Sequence, residues 1–403
     1  MKDEKKKKFK VFNNESEYET KLRRHRMRVG GIVFLVAAVL VILVIAVFFI
    51  LKYRGYHDYE IIKKIKTEVL SEATFYDYNG DVLKVSKNGA IITDSEGEEI
   101  FNLSFEMNEP IVDISGKYIV VAERKGSNIY IMTSEGEKGH IVLTRKIRDV
   151  RVATQGTIAV ISEEESTYYI NLYDYNGNEL VEGAMHIDNT GYPIAMDISD
   201  DATLLMVSVI DLKDGLAKST INFYNFGSVG QNEIDNKVSS FIYEDTVIPR
   251  VIFFGNDKAV AIGDNKILFY TGSEIPEEEK SYELTTTIRS LAVNEEYIAL
   301  ICDGTKGVAT GDATSTYVLS VYDAKGRNMY SEGFDISYSD FYLLSNDDVY
   351  IGKDGGSLIY AINGVKKYDG AFGNELLKIT SSKSTNEYYI LYRNRIEKVR
   401  LVR

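Results

Sequence analysis

The sequence predicts an all-β fold, a β-propeller of eight blades with seven as the alternative count, behind a single apolar N-terminal helix. Three observations predict it. From residue 71 onward, runs of five to eight residues rich in Val, Ile, Tyr and Leu alternate with Gly, Asn and Asp turn signals, the mark of short strands. The runs recur in groups of four, starting at 110, 147, 193, 249 and 288 and again near 338 and 375, and this spacing of 37 to 56 residues is a propeller repeat. Finally, residues 29–51 carry no charged side chain.

That apolar run is 23 residues long, and 18 of them are Val, Ile, Leu or Phe. As a helix it would extend about 35 Å, enough to span a hydrocarbon core of about 30 Å with some tilt. It lacks the polar stripe of a soluble helix and exceeds the apolar region of a cleavable signal peptide, so the expectation is an uncleaved signal anchor. Lys21, Arg23, Arg24, Arg26 and Arg28 precede it closely, against Lys52 and Arg54 just after it. A Lys/Arg excess stays cytoplasmic, which puts the N-terminus inside and the rest of the chain outside the cytoplasmic membrane. The expected organisation is a basic tail over 1–28, the anchor over 29–51, a juxtamembrane linker over 52–70 that forms a short helix or an extra strand, and the propeller over 71–403.

Within the propeller, each unit opens with a strand led by proline or isoleucine: PIVDIS at Pro110, IRDVRVA at Ile147, PIAMDIS at Pro193, PRVIFF at Pro249 and IRSLAV at Ile288. Proline lacks the ladder donor, so it belongs at the first residue of a strand. A polar turn such as Asp200-Asp201 or Asn256-Asp257 leads to a second apolar strand. A third, tyrosine-bearing strand then turns into a fourth, with Asn176-Gly177 and Asn363-Gly364 supplying positive φ and Asn79-Gly80 repeating the dipeptide earlier. Six units fill 110 to 370. The pieces at 73–104 and 375–401 would give about seven strands if merged into one blade, so they count as two, leaving open how the ring closes. A β-sandwich or a solenoid is the rival architecture.

Composition excludes several function classes. The tail over 1–28 has a net charge of +6, which leaves −19 for the rest of a chain whose total is −13. Such an acidic domain has no basic face for nucleic acid. Cys302 is the only cysteine, so no intrachain disulfide forms and stability must come from a large apolar core. The four histidines are isolated along the chain, and no zinc site, Walker loop, G-x-S-x-G, H-E-x-x-H or calcium loop is present. No catalytic residue, metal ligand or cofactor is therefore assigned. Asp200-Asp201 and Asp347-Asp348 read as solvated turn formers, and Glu277 to Glu279 as a solvated loop. Tyr130, Tyr224, Tyr270, Tyr322 and Tyr360 recur on third strands and read as packing between blades. The longest loops between second and third strands, 211–217 and 303–313, are the candidate partner contacts, through Asp211, Lys213, Asp214, Asp303, Lys306 and Asp312.

The stretches GYPIAMDISDDATLLMVSVI (191–210), FYNFGSVGQNEID (223–235) and FIYEDTVIPRVIFF (241–254) resemble a family of single-pass membrane proteins from Firmicutes, a domain of unknown function related in form to WD40-like propellers. The resemblance implies a Gram-positive membrane anchor with a propeller outside, and brings no catalytic residues. A weaker similarity runs to quinoprotein-type propellers, from which a chain without tryptophan departs. The expected function is a non-enzymatic protein-interaction or scaffold module at the cell envelope, binding an envelope protein or peptide. The alternative is binding or hydrolysis of cell-wall glycan on one face of the ring, with quinone or metal enzymology third.

Overall fold

The computed structural model describes residues 15–52, 55–66, 73–94, 96–186, 191–212, 217–304, 315–353, 356–373, 376–382 and 384–403. The chain forms two compact units, 1–54 and 55–403. In the first, helix α1 (Glu15–Lys52) contains the whole apolar run. Its stretch Leu22–Val44 is long and apolar enough to cross a membrane and is the one such helix among the described residues.

The second unit is eight four-stranded antiparallel sheets. Seven are built from consecutive strands, and we number them as blades: 1 (74–104), 2 (110–142), 3 (146–186), 4 (192–244), 5 (250–283), 6 (288–334) and 7 (338–370). Blade 8 takes three strands from 376–402, and its fourth is β1 (Asp58–Lys66), paired to Arg395–Val402 from Asp58↔Val402 to Lys66↔Arg395. The segment read as a linker thus holds the extra strand, and residues 58–66 belong to the propeller. Its side chains alternate between half-buried and exposed because only one face of an outermost strand meets protein.

First strands of neighbouring blades lie against one another at blades 2/3, 3/4, 4/5 and 6/7, and the pair from blades 8 and 1 closes the ring. Second strands such as Tyr118–Glu123 and Leu204–Asp211 are buried almost throughout, since sheets pack on both of their faces. The apolar core is accordingly divided into eight clusters, one between each pair of neighbouring blades. The third-strand tyrosines pack where expected: Tyr270 and Tyr360 are buried, and Tyr130, Tyr224 and Tyr322 pack against inter-blade cores. Pro110 opens its strand, Pro193 is second in its strand and Pro249 immediately precedes its strand. Asn79-Gly80 has both φ angles positive (54° and 81°), as a two-residue hairpin requires, whereas at the other two dipeptides only Gly177 (88°) and Gly364 (82°) do.

Two sets of bulges shape the ring. In five first strands one residue has no partner in the second strand: Arg148, Ile194, Arg289, Ser339 and Leu377. In seven blades another interrupts the fourth strand just after its hairpin, among them Ile100, Leu180, Met329 and Lys367. The outer set twists the exposed edge of each sheet, which discourages pairing with another chain.

Candidate functional site

A ring of this topology has two faces. The loop face carries the second-to-third strand loops and the connections between blades, and the turn face carries the two hairpin turns of each blade. The chain enters the propeller on the turn face, where the Tyr56 N–H donates to Lys367 O (2.8 Å) and the His57 N–H to Val402 O (3.2 Å).

The inner bulges all fall at the second or third residue of a first strand, at its loop-face end, so they gather around the mouth of the central channel. A bulge re-aims one side chain out of the sheet. Here it presents Arg148, Ile194, Arg289, Ser339 and Leu377. Two arginines are held by acids: Arg148 Nε lies 2.8 Å from Glu163 and Arg289 Nε 2.7 Å from Asp303. Tyr338 shares a hydrogen bond with Ser290 (2.7 Å) and packs with Tyr317 and Phe334 in an aromatic cluster with centroids 5.4 to 6.1 Å apart. At blade 4, Tyr192 pairs with Ile210, and Leu212 follows two residues on. Tyr192, Ile194 and Leu212 are 42%, 38% and 57% exposed.

Deeper in the channel, first strands of blades 2 to 5 bring together Asp113, Asp149, Arg151, Asp197 and Arg250. Asp113 accepts the Val152 N–H and Asp197 the Phe253 N–H, each at 2.7 Å, so each carboxylate staples its blade to the next. Arg151 donates to Asp149 at 2.8 Å and lies 3.8 Å from Asp197. Burial pushes the Asp197 carboxyl up to about 7; Arg151 pulls it down, Asp113 pushes it up, and the Phe253 N–H and Arg250 pull it down. Burial also raises Asp113. Burial and the repulsion of Arg151 hold Arg250 below the ordinary arginine range, although the residue keeps an exposed surface.

Across the ring, Lys378 sits between the rings of Tyr76 (5.4 Å) and Tyr342 (5.1 Å) and donates to Phe75 O of blade 1. Burial lowers its pKa, with Asp77 opposing. Asp77 itself accepts from Ser345 (2.7 Å) and Ser381 (2.9 Å) of blades 7 and 8. Asp77, Asp113, Asp197 and Lys378 are therefore committed to joining blades, while Asp149 holds Arg151 of its own strand.

Of the expected partner contacts, Lys213, Asp214, Lys306 and Asp312 lie outside the described residues. Asp211 ends the second strand of blade 4 opposite Lys218, and Asp303 is held by Arg289, so the two described members anchor loops. Two sequence expectations change. Asp348 is 3% exposed: it pairs with Lys367 (2.6 Å), accepts from Tyr388 (2.5 Å) and Asn346 (2.9 Å), and is a buried joint between blades 7 and 8. Glu277 to Glu279 open the fourth strand of blade 5, because their alternation with Lys280 and Tyr282 suits an outer strand; they remain exposed, as a loop would be. No sequence signal marked the inner bulges, since a bulge depends on register against the next strand.

In comparisons with solved structures, the chain is similar to BamB from Moraxella catarrhalis (13% identity, 85% of this chain and 100% of that chain, TM-score 0.46) and to the Pan2 WD40 domain of Neurospora crassa (9% identity, 73% and 90%, TM-score 0.41). At these values no residue role is carried over. No curated protein sequence matches. The model of a family of unknown function, DUF5711, matches residues 52–401, from just before the closing strand to the last strand, and the chain belongs to that family.

Proposed function

We propose that this chain is a membrane-anchored, extracytoplasmic interaction module of the Gram-positive cell envelope, whose loop face holds a protein or peptide partner without chemistry on it. The observation that carries this reading is the apolar surface of blade 4, where Tyr192, Ile194 and Leu212 are exposed on one end of one sheet beside the channel mouth. An apolar centre rimmed by arginines, tyrosines and hydroxyls has the composition of a docking surface. The engagement of the channel carboxylates with backbone and with Arg151 favours binding over acid–base catalysis, which needs a carboxyl free to exchange a proton with substrate. The apolar helix and the Lys/Arg excess before it support an anchor with the N-terminus inside, and the likeness to Firmicutes membrane proteins supports the Gram-positive envelope.

The test is crosslinking in intact cells followed by mass spectrometry, with the full chain, an Ile194→Ser/Leu212→Ser variant and an anchor-only control. One envelope protein crosslinked through the loop face, and lost in the variant, supports the reading. Equal recovery by the anchor alone overturns it.

A further inference from the structure

A second surface lies on the opposite, turn face at blades 4 and 5. The hairpin between the third and fourth strands of blade 4 is enlarged to residues 226–236 and folds into two short 3₁₀ turns. It is ordered by its own backbone: the Gln231 N–H donates to Gly227 O, Asn232 to Val229 O and Glu233 to Gly230 O. At its tip Ile234 is 85% exposed, more than any other large apolar side chain described in the propeller. Asp235 and Asn236 follow with φ of 56° and 57°, a left-handed pair that reverses the chain directly behind the isoleucine. The corresponding hairpin of blade 5, 272–276, presents Ile275 at 51% exposure. The two hairpins are tied together: Asn225 Nδ2 of blade 4 donates to Glu274 O (2.8 Å) and Ser239 Oγ to Pro276 O (2.9 Å). The hairpins that carry the two isoleucines are thus joined at their bases.

The joined hairpins are strongly acidic. Glu233 and Asp235 flank Ile234, while Glu274 and the run Glu277 to Glu279 flank Ile275; among the described residues none of these six forms an ion pair. The adjoining cations are Lys237 after the first segment and Lys280 after the second, the latter turned to Gly326 O of blade 6. Glu278 is fixed by the Tyr243 hydroxyl. An apolar centre inside a negative rim repels an anionic lipid surface and attracts a cationic protein segment. We infer that the turn face at blades 4 and 5 is a second docking surface, whose partner is a Lys/Arg-rich protein segment with apolar side chains between its cations. This inference is independent of the loop-face reading, since no residue is shared.

The test uses the full chain in detergent micelles and fluorescent ten-residue peptides of alternating Lys-Leu, Lys-Ser and Glu-Leu, with binding read by anisotropy. The Lys-Leu peptide should bind the parent chain, and Ile234→Ser/Ile275→Ser should weaken it about tenfold or more. Glu274→Gln/Glu277→Gln/Glu279→Gln should weaken both lysine peptides and flatten their salt dependence. Unchanged thermal unfolding of the two variants shows that the ring is intact; if a variant unfolds, Ile234→Thr alone at the solvent-exposed tip is read instead. Equal affinity of parent and isoleucine variant for the Lys-Leu peptide overturns the inference. So does quenching of a bimane label on Ile234→Cys, in a Cys302→Ser background, by brominated lipid in nanodiscs, because it would put the hairpins on the membrane. Variants of Ile194 and Leu212 leave peptide binding here unchanged, so failure of either docking surface is read separately.

Discussion

Blades 3 and 4 and blades 8 and 1 meet at equivalent positions of the same ring, yet they are joined differently. Between blades 3 and 4, thirteen buried apolar residues from Ala153 to Val209 form one cluster, among the described residues. Between blades 8 and 1 the cluster has five: Phe75, Val82, Tyr389, Leu391 and Ile396. The seam adds polar and backbone contacts. Asp77 gathers Ser345 and Ser381, Lys378 reaches Phe75 O, and Lys63 crosses from β1 to Glu96 (2.7 Å). β1 is held inside blade 8 by its ladder to Arg395–Val402, and its Tyr59 makes an edge contact with Phe372 at 5.1 Å in the blade 7/8 core. The blade 3/4 joint has directional contacts as well, from Thr154 Oγ1 to Asp200 O (2.9 Å), from Gln155 Nε2 to Asp201 O (2.8 Å) and between Arg151 and Asp197 (3.8 Å). What sets the closure apart is the smaller apolar cluster beneath its polar contacts. The seam is therefore the interface expected to open first.

Four outcomes break or sharpen that comparison. Lys367→Met, one interface from the seam, leaves Asp348 buried and unpaired, and should cost about 3 to 5 kcal/mol in chemical unfolding; Lys367→Arg should recover most of it. Leu391→Ala at the seam and Leu205→Ala in the blade 3/4 core both empty a fully buried site and should cost about 2 to 5 kcal/mol each. Limited proteolysis separates them, because the seam variant should be cut near β1 before the ring unfolds, and identical fragment patterns would remove the contrast.

The third outcome concerns pH. The folded-state pKa of Asp197 is raised above its unfolded value, so its contribution to stability is complete below about pH 4 and is lost as pH rises through about 7. Arg151, Asp113 and Arg250 surround it, and Asp113, also raised by burial, titrates together with it. Asp197→Asn keeps an acceptor for the Phe253 N–H, so the fall in melting temperature between pH 5 and 8 should become shallower; an unchanged slope would assign it elsewhere. The smallest effect belongs to Lys63→Ala, whose exposed pair with Glu96 should leave the unfolding midpoint within error.

Much of the fold was legible because it rests on local pattern. Period-two apolar runs and Asn-Gly or Asp-rich turns located the strands, and the excess of strands at the two ends gave eight blades. β1 was hard to read: DYEIIKKIK carries three lysines and faces solvent on one side, so it looks like a linker until its partner at Arg395–Val402 is known. Asp348 was hidden for a similar reason. An Asn-Asp-Asp turn has the same sequence whether it is solvated or pressed against Lys367 and Tyr388 from strands distant in the chain. The candidate loops were found by length, whereas the exposed Ile194 depends on a register slip and Ile234 on a folded hairpin tip.

Hydrogen exchange with mass spectrometry on the full chain in detergent micelles tests the ring closure most directly. The account predicts that amides of 58–66 exchange together with those of 395–402, at least about a hundredfold slower than in an unstructured peptide and faster than those of 204–211 in blade 4. Exchange of 58–66 at the unstructured rate while 395–402 stays protected would contradict a ring closed by β1.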